Sequence, residues 1–220
     1  NAANNASLSE SKSLSAGATL QVNRKLNERG RNVTFLGSVT YGDVDNDSYS
    51  ESFTRYYKEH LLDTIFRYNT TPSTNYSYSG KLTYSEPIAS HTHLQFGYQL
   101  KYSYSESDRR TYGLLNATGG NLWRLNEPLP SDYKDYEDKE QSKYAEYKTL
   151  EHDLSLSLRY VYDKVQLNAG LSFLPQHTEL SYRKNLLDTI VMRNVLNFSP
   201  NVNLRIRFSK MSNVQFTYRG

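Results

Sequence analysis

From Leu94 to Tyr104 the side chains alternate without a break. Leu94, Phe96, Tyr98, Leu100, Tyr102 and Tyr104 are apolar or aromatic, and Gln95, Gly97, Gln99, Lys101 and Ser103 between them are polar or small. Successive side chains of a strand point to opposite faces. The pattern therefore predicts a β-strand with one apolar face and one wet face.

The same alternation returns along the chain. Ala18, Leu20 and Val22 alternate with Thr19, Gln21 and Asn23. Val33, Phe35, Val39 and Tyr41 share a face with Gly37, with Leu36 the exception on the other side. Tyr76, Tyr78, Gly80, Leu82 and Tyr84 oppose Ser77, Ser79, Lys81 and Thr83. Further runs are Leu154 to Tyr162, Val165 to Phe173, Val202 to Phe208 and Val214 to Tyr218. Asn27 to Gly30 reads as a turn in which Gly30 takes positive φ, Asp163-Lys164 as a tight turn, and Ser209 to Asn213 as another. Pro87 suits a strand end, because it cannot donate to a ladder.

With 220 residues and 37% hydrophobic content, no run approaches the roughly 20 apolar residues of a transmembrane helix. The mean hydropathy of -0.75 does not argue against a membrane, because a membrane barrel interleaves lipid-facing residues with lumen-facing polar ones. Twenty tyrosines against 8 phenylalanines and 1 tryptophan suit strands that meet a membrane–water interface. Tyr41, Tyr84, Tyr104, Tyr160, Tyr162 and Tyr218 lie near predicted strand ends. Short connections alternate with long ones, the asymmetry of tight periplasmic turns and long outer loops. The expected fold is all-β: an antiparallel up-and-down meander of about eight long strands, part of a transmembrane β-barrel. Residues 1–15, rich in Asn, Ala and Ser, are expected to be a flexible polar segment, and 16–220 a portion of an outer-membrane barrel. Long outer loops are expected at about 43–67, 113–153 and 175–194. Asn1 to Ala16 has no apolar h-region, so no signal peptide is visible.

The polar face decides between a soluble core and a membrane wall. In the membrane reading Leu94, Phe96, Leu100, Leu156, Leu158, Leu171, Leu204 and Ile206 face lipid. Lys81, Gln99, Lys101, Arg159, Asn168, Asn203, Arg205 and Arg207 face a hydrated lumen. The alternative is a soluble or surface-attached all-β binding module or adhesin whose apolar faces form a sandwich core.

Several stretches carry a resemblance: Asn23-Arg24-Lys25-Leu26 with Arg29-Gly30-Arg31, Tyr84-Ser85-Glu86-Pro87-Ile88 followed by Leu94-Gln95-Phe96, and Val165 to Leu171. A further one is Asn197-Phe198-Ser199-Pro200, leading through Leu204 to Lys210 and on to Tyr218-Arg219-Gly220. From about Gly17 onward the chain resembles the Bacteroidetes outer-membrane β-barrel proteins related to TonB-dependent receptors. The resemblance implies a transport barrel of about 22 strands, plugged by an N-terminal domain and driven by an inner-membrane TonB complex. This chain is then a piece of the barrel wall in the bacterial outer membrane. It implies uptake of a nutrient such as a glycan, peptide or metal chelate, with outer-membrane lipid, the TonB complex and a surface lipoprotein as partners of the full-length protein.

Catalytic chemistry is not expected. There is no cysteine, no phosphate-cradling glycine loop and no nucleophile elbow. His91 and His93 sit at spacing two without a third ligand nearby, so a zinc site is not expected. Asp43, Asp45 and Asp47 have the opening spacing of a calcium loop, but Ser48 and Thr54 stand where glycine and glutamate are needed. A net charge of +3 with mixed signs gives no reason to expect nucleic acid. No cofactor is expected. Trp123, on a long loop, is the first candidate for a ligand contact, joined by Tyr133 and Tyr136 in the aromatic–acidic run Asp132 to Lys139. A solvated loop is the simpler reading of that run. Leu61 to Ile65 and Leu186 to Ile190 share the sequence Leu-Leu-Asp-Thr-Ile, read as loop convergence rather than a domain repeat.

Overall fold

A computed structural model of the chain describes residues 2–57, 61–117, 128–209 and 212–220. Eight strands follow one another: β1 (Ala2–Lys25), β2 (Asn32–Tyr56), β3 (Leu61–Ala89), β4 (Thr92–Gly113), β5 (Lys143–Tyr162), β6 (Val165–Lys184), β7 (Leu187–Arg207) and β8 (Asn213–Arg219). Each pairs antiparallel with the next, in the sheet order β1-β2-β3-β4-β5-β6-β7-β8. This is the expected all-β meander. The sheet does not close on itself among the described residues.

The strands are longer than the sequence pattern predicts. β1 to β7 run 20 to 29 residues, about twice the 9–11 that cross a bilayer. The excess lies at one end and replaces most of the expected loops. Ala2 to Ser15, expected to be flexible, pairs with 42–55 of β2. The expected loop at 43–67 is the outer part of the β2–β3 hairpin, and the one at 175–194 is a β6–β7 hairpin turning at Asn185. Both segments are polar on both faces or mixed, so period two fades while the ladder to the neighbouring strand continues. Of the three long connections, one is not taken up into strands: its described residues, 114–117 and 128–142, hold a helical turn at Leu114–Ala117 and a 3₁₀ turn at Tyr133–Tyr136. The length asymmetry thus sits in strand extensions and one loop, not in three loops.

Turn chemistry follows the residues. Gly30 has φ 98°, as its turn requires, and Asp163 and Asn185 take φ of 47° and 51° in two-residue hairpin turns. β3 passes through Pro87 to Ala89 with an irregularity in register between them, rather than ending at Pro87. At this end Arg31 donates through Nε and Nη2 to both oxygens of Glu86, at 2.7 and 2.6 Å, tying the β1–β2 turn to the end of β3. The Tyr84 hydroxyl donates to the same carboxylate.

The sheet has no buried core of its own. Among the described residues the buried hydrophobic side chains are Phe66, Tyr68, Tyr112 and Leu114, clustered at the outer end. The rest of the apolar face is uncovered.

Candidate functional site

Directly opposed residues of antiparallel strands share a face, so the ladders sort the side chains without ambiguity. One row runs Val33, Tyr84, Phe96, Leu156, Leu171, Pro200. The next runs Val22, Phe35, Leu82, Tyr98, Leu154, Phe173, Phe198. Leu94 opposes Leu158, Leu100 opposes Gly80, Leu204 opposes Leu167 and Phe216, and Ile206 opposes Val165 and Val214. All eight residues expected to meet lipid therefore share one face. Phe96 is 47% exposed, Leu171 46% and Phe198 62%. A shallow groove of about 470 Å³ on this face is lined by Leu82, Phe96, Leu156, Leu171, Phe173 and Phe198 among others.

The face is zoned along the strands. On β3 and β4 no charge occurs between Glu86, opposite Leu94, and Glu106, opposite Thr74. That stretch is about 40 Å of strand, or roughly 28 Å along the normal at a 45° tilt, close to the apolar band of a membrane barrel. Its outer limit is tyrosine. Tyr41, Tyr76, Tyr78, Tyr102 and Tyr104 sit in two adjacent rows, with Tyr76 and Tyr104 stacked at 4.7 Å. Level with Tyr104 stand Lys148 and Glu179, and beyond that row the same face turns acidic and mixed, with Asp43, Asp45, Asp47, Glu106 and Glu146.

The opposite face gathers the polar set. Lys81 opposes Gln99, which opposes Asp153. Lys101 opposes Glu151, with Nζ 3.7 Å from its carboxylate. Arg159 opposes His93 and Asn168, Asn168 opposes Asn203, Arg205 opposes Gln166 and Gln215, and Arg207 opposes Asn213. All eight residues expected on the lumen side share this face. Glu151 and Asp153, which period-two reading left out, complete it. They line a cavity of about 210 Å³ with Gln99, Lys101, Gln176 and Asn197, and the Oδ1 of Asp153 is buried without a hydrogen-bond partner among the described residues. Leu36 remains on this face, between Gln21 and Lys81. Farther out, β1 to β4 present small hydroxyls and amides that bond one another, as in Ser38–Ser79 at 2.7 Å and Thr40–Ser77 at 2.8 Å.

The loop candidates part company. Trp123 lies outside the described residues. Tyr133 opens a 3₁₀ turn, Tyr133–Tyr136, and packs edge-on against Tyr68 and Tyr112 at 5.6 and 5.0 Å. Tyr68 and Tyr112 lie on the apolar-side face, so the β4–β5 connection folds onto that side and Tyr133 fills its aromatic cluster. Tyr136 is half-buried at the end of the turn. The connection is laced to β4 by the Asp138 N–H donating to the Thr111 carbonyl at 2.8 Å and the Thr111 N–H donating to Ser142 Oγ at 3.1 Å. Tyr68 donates to Asp47 at 2.8 Å. Burial first, then the Asp47 carboxylate, hold its phenol well above the ordinary tyrosine range. Asp43 accepts from Thr74 Oγ1 at 2.9 Å, so the aspartates with calcium-like spacing lie on a strand face and two of them hold hydrogen bonds to β3. The two Leu-Leu-Asp-Thr-Ile copies place their aspartates on opposite faces: Asp63 opposes Thr54 on the polar face, and Asp188 opposes Arg183 on the other.

A sequence model of the outer membrane protein beta-barrel family matches residues 24–220. The chain belongs to that family. It is a component of the bacterial outer membrane. A search of curated protein sequences finds no match. Among solved structures, the ferric preacinetobactin receptor BauA from Acinetobacter baumannii superposes with a TM-score of 0.54 at 15% identity, over 94% of this chain and 30% of the receptor. The ferric-catecholate import receptor Fiu from E. coli K12 superposes with a TM-score of 0.54 at 12% identity, over 95% of this chain and 33% of the receptor. The ferric citrate transporter FecA gives 0.48 at 13% identity, covering 86% and 27%. This chain spans about a third of the length of these proteins, and at such identities the likeness is one of fold.

Proposed function

We propose that the chain is wall from a TonB-dependent-receptor-like transport barrel that takes up a nutrient across the outer membrane. The apolar face meets acyl chains. The face with Lys81, Gln99, Lys101, Arg159, Asn168, Asn203, Arg205 and Arg207 lines a hydrated lumen. Backbone amides in hydrocarbon need a neighbouring strand, and across the apolar band β2 to β6 each have one on both sides. The observation that carries this reading is the uncovered apolar band, free of charge on β3 and β4 between Glu86 and Glu106 and edged there by tyrosine on the outer side. A soluble sandwich would bury that face against a second layer.

Under this reading the strand extensions and the β4–β5 connection stand outside the membrane, where a glycan, peptide or metal chelate is met. The full-length protein works with the TonB complex and a surface lipoprotein. It is a carrier of the kind found in Bacteroidetes, not an enzyme. Deleting the full-length gene tests this. Growth on one nutrient class should fall while growth on simple sugars is unchanged, and normal growth and uptake across all classes would contradict it.

A further inference from the structure

The outer end of the sheet carries a charge arrangement that its own fold leaves unbalanced. Arg109 of β4 stands directly opposite Lys143 of β5. Lys143 and Lys184 are the positions just beyond the Tyr144–Arg183 pair that ends the β5–β6 ladder. Like charges directly opposite on a sheet repel each other. Beside them is a cavity of about 310 Å³, bordered by Arg110, Lys139, Lys143, Arg183 and Lys184, with Asp108 and Glu137 its carboxylates. Asp108 is held by Arg110 at 3.0 Å. Arg183 lies 4.4 Å over the Tyr144 ring, which orients its guanidinium, and stands opposite Asp188 of β7 without an ion pair between them, so the uncompensated charge of the cluster is that of its lysines. Among the described residues, Lys139, Lys143, Arg183 and Lys184 have no carboxylate at ion-pair distance.

We infer that this cluster binds a multiply charged oxyanion, a phosphate or sulfate group, at the rim of the barrel mouth. The cavity's cations outnumber its carboxylates, and a dianion offsets their mutual repulsion. Guanidinium forks and ammonium groups are the donors that match such an oxyanion. The cluster straddles the rim. Arg110, Tyr144 and Arg183 share the apolar-side face, whereas Lys143 continues the polar one. The group therefore has two sources: a solute entering the mouth, or a phosphorylated lipid of the outer leaflet. The location at the mouth rests on the transport reading above; the affinity for an oxyanion does not.

The test uses the full-length protein in detergent, with inorganic pyrophosphate as the titrant in calorimetry. The comparison is with the triple variant Lys139→Gln, Lys143→Gln, Lys184→Gln, and with the same three positions as Arg. Unheated gel mobility shows whether each barrel is folded. The glutamine variant should bind at least about tenfold more weakly, with the arginine variant close to wild type, and wild-type affinity should fall as salt rises. Phosphorylated lipid that copurifies with the wild type and is lost from the glutamine variant assigns the lipid source; loss of pyrophosphate binding alone assigns the solute. Equal pyrophosphate binding and equal lipid content in wild type and glutamine variant overturn the inference. Pyrophosphate binding through these residues in a protein that supports no uptake would overturn the transport reading and leave this site standing.

Discussion

Leu100 and Gln99 are neighbours in sequence and opposites in setting. Leu100 stands midway up the apolar band, opposite Gly80, while Gln99 lies between Lys81 and Asp153 on the polar face. Leu100→Arg should destabilise the full-length barrel in vesicles by about 2–4 kcal/mol if its row is at the bilayer midplane, and Gln99→Arg by less than about 1 kcal/mol. Denaturant titration reads both, and equal losses would contradict the face assignment. Tyr68 gives a prediction in pH. Its folded-state pKa is raised, by burial and then by Asp47. The stability it contributes is fully present below the ordinary tyrosine pKa of about 10 and is lost as pH rises through the higher folded value. The absorbance at 295 nm of wild type minus Tyr68→Phe should therefore titrate above the ordinary range. A difference curve centred near the ordinary value would mean that Tyr68 is not held as described.

At the level of elements, the β4–β5 connection is, among the described residues, where the sheet is covered. Tyr133→Ala removes the ring that Tyr68 and Tyr112 grip edge-on. It should open the connection locally by roughly 1–3 kcal/mol, seen as faster tryptic cleavage after Lys134 and Lys139 with the strands still protected. Unchanged cleavage would show that the aromatic cluster does not hold the loop. This element also marks where sequence reading ends. The faces of β4 could be read from Leu94 to Tyr104, because alternation is a property of the strand itself. The outer parts of β1 and β2 could not: Ser7, Ser9 and Ser11 alternate with Leu8, Glu10 and Lys12, which are no longer uniformly apolar, and Asp43 to Asp47 reads as loop. They are strands because each supplies the other's hydrogen bonds. Tyr133 reads as a ligand contact for a similar reason, since its partners at 68 and 112 are far away in the chain.

For the whole molecule, one apolar belt and one polar wall run across eight paired strands, a surface that water does not tolerate in isolation. The full-length protein should stay with the membrane in high salt and leave it in detergent; release by salt alone would favour a surface module. Strand order and the two faces were legible from alternation and short turns, whereas strand length and the docking of Tyr133 onto Tyr68 and Tyr112 depend on contacts that no local pattern encodes. The most direct test of the central assignment is nitroxide accessibility in the full-length protein reconstituted in vesicles. Labels at Phe96, Leu156 and Leu204 should collide with dissolved oxygen far more than with a water-soluble nickel chelate, and labels at Gln99, Asn168 and Asn203 should favour the chelate. Labels at 96, 156 and 204 shielded from both, as inside a closed dry core, would contradict the account.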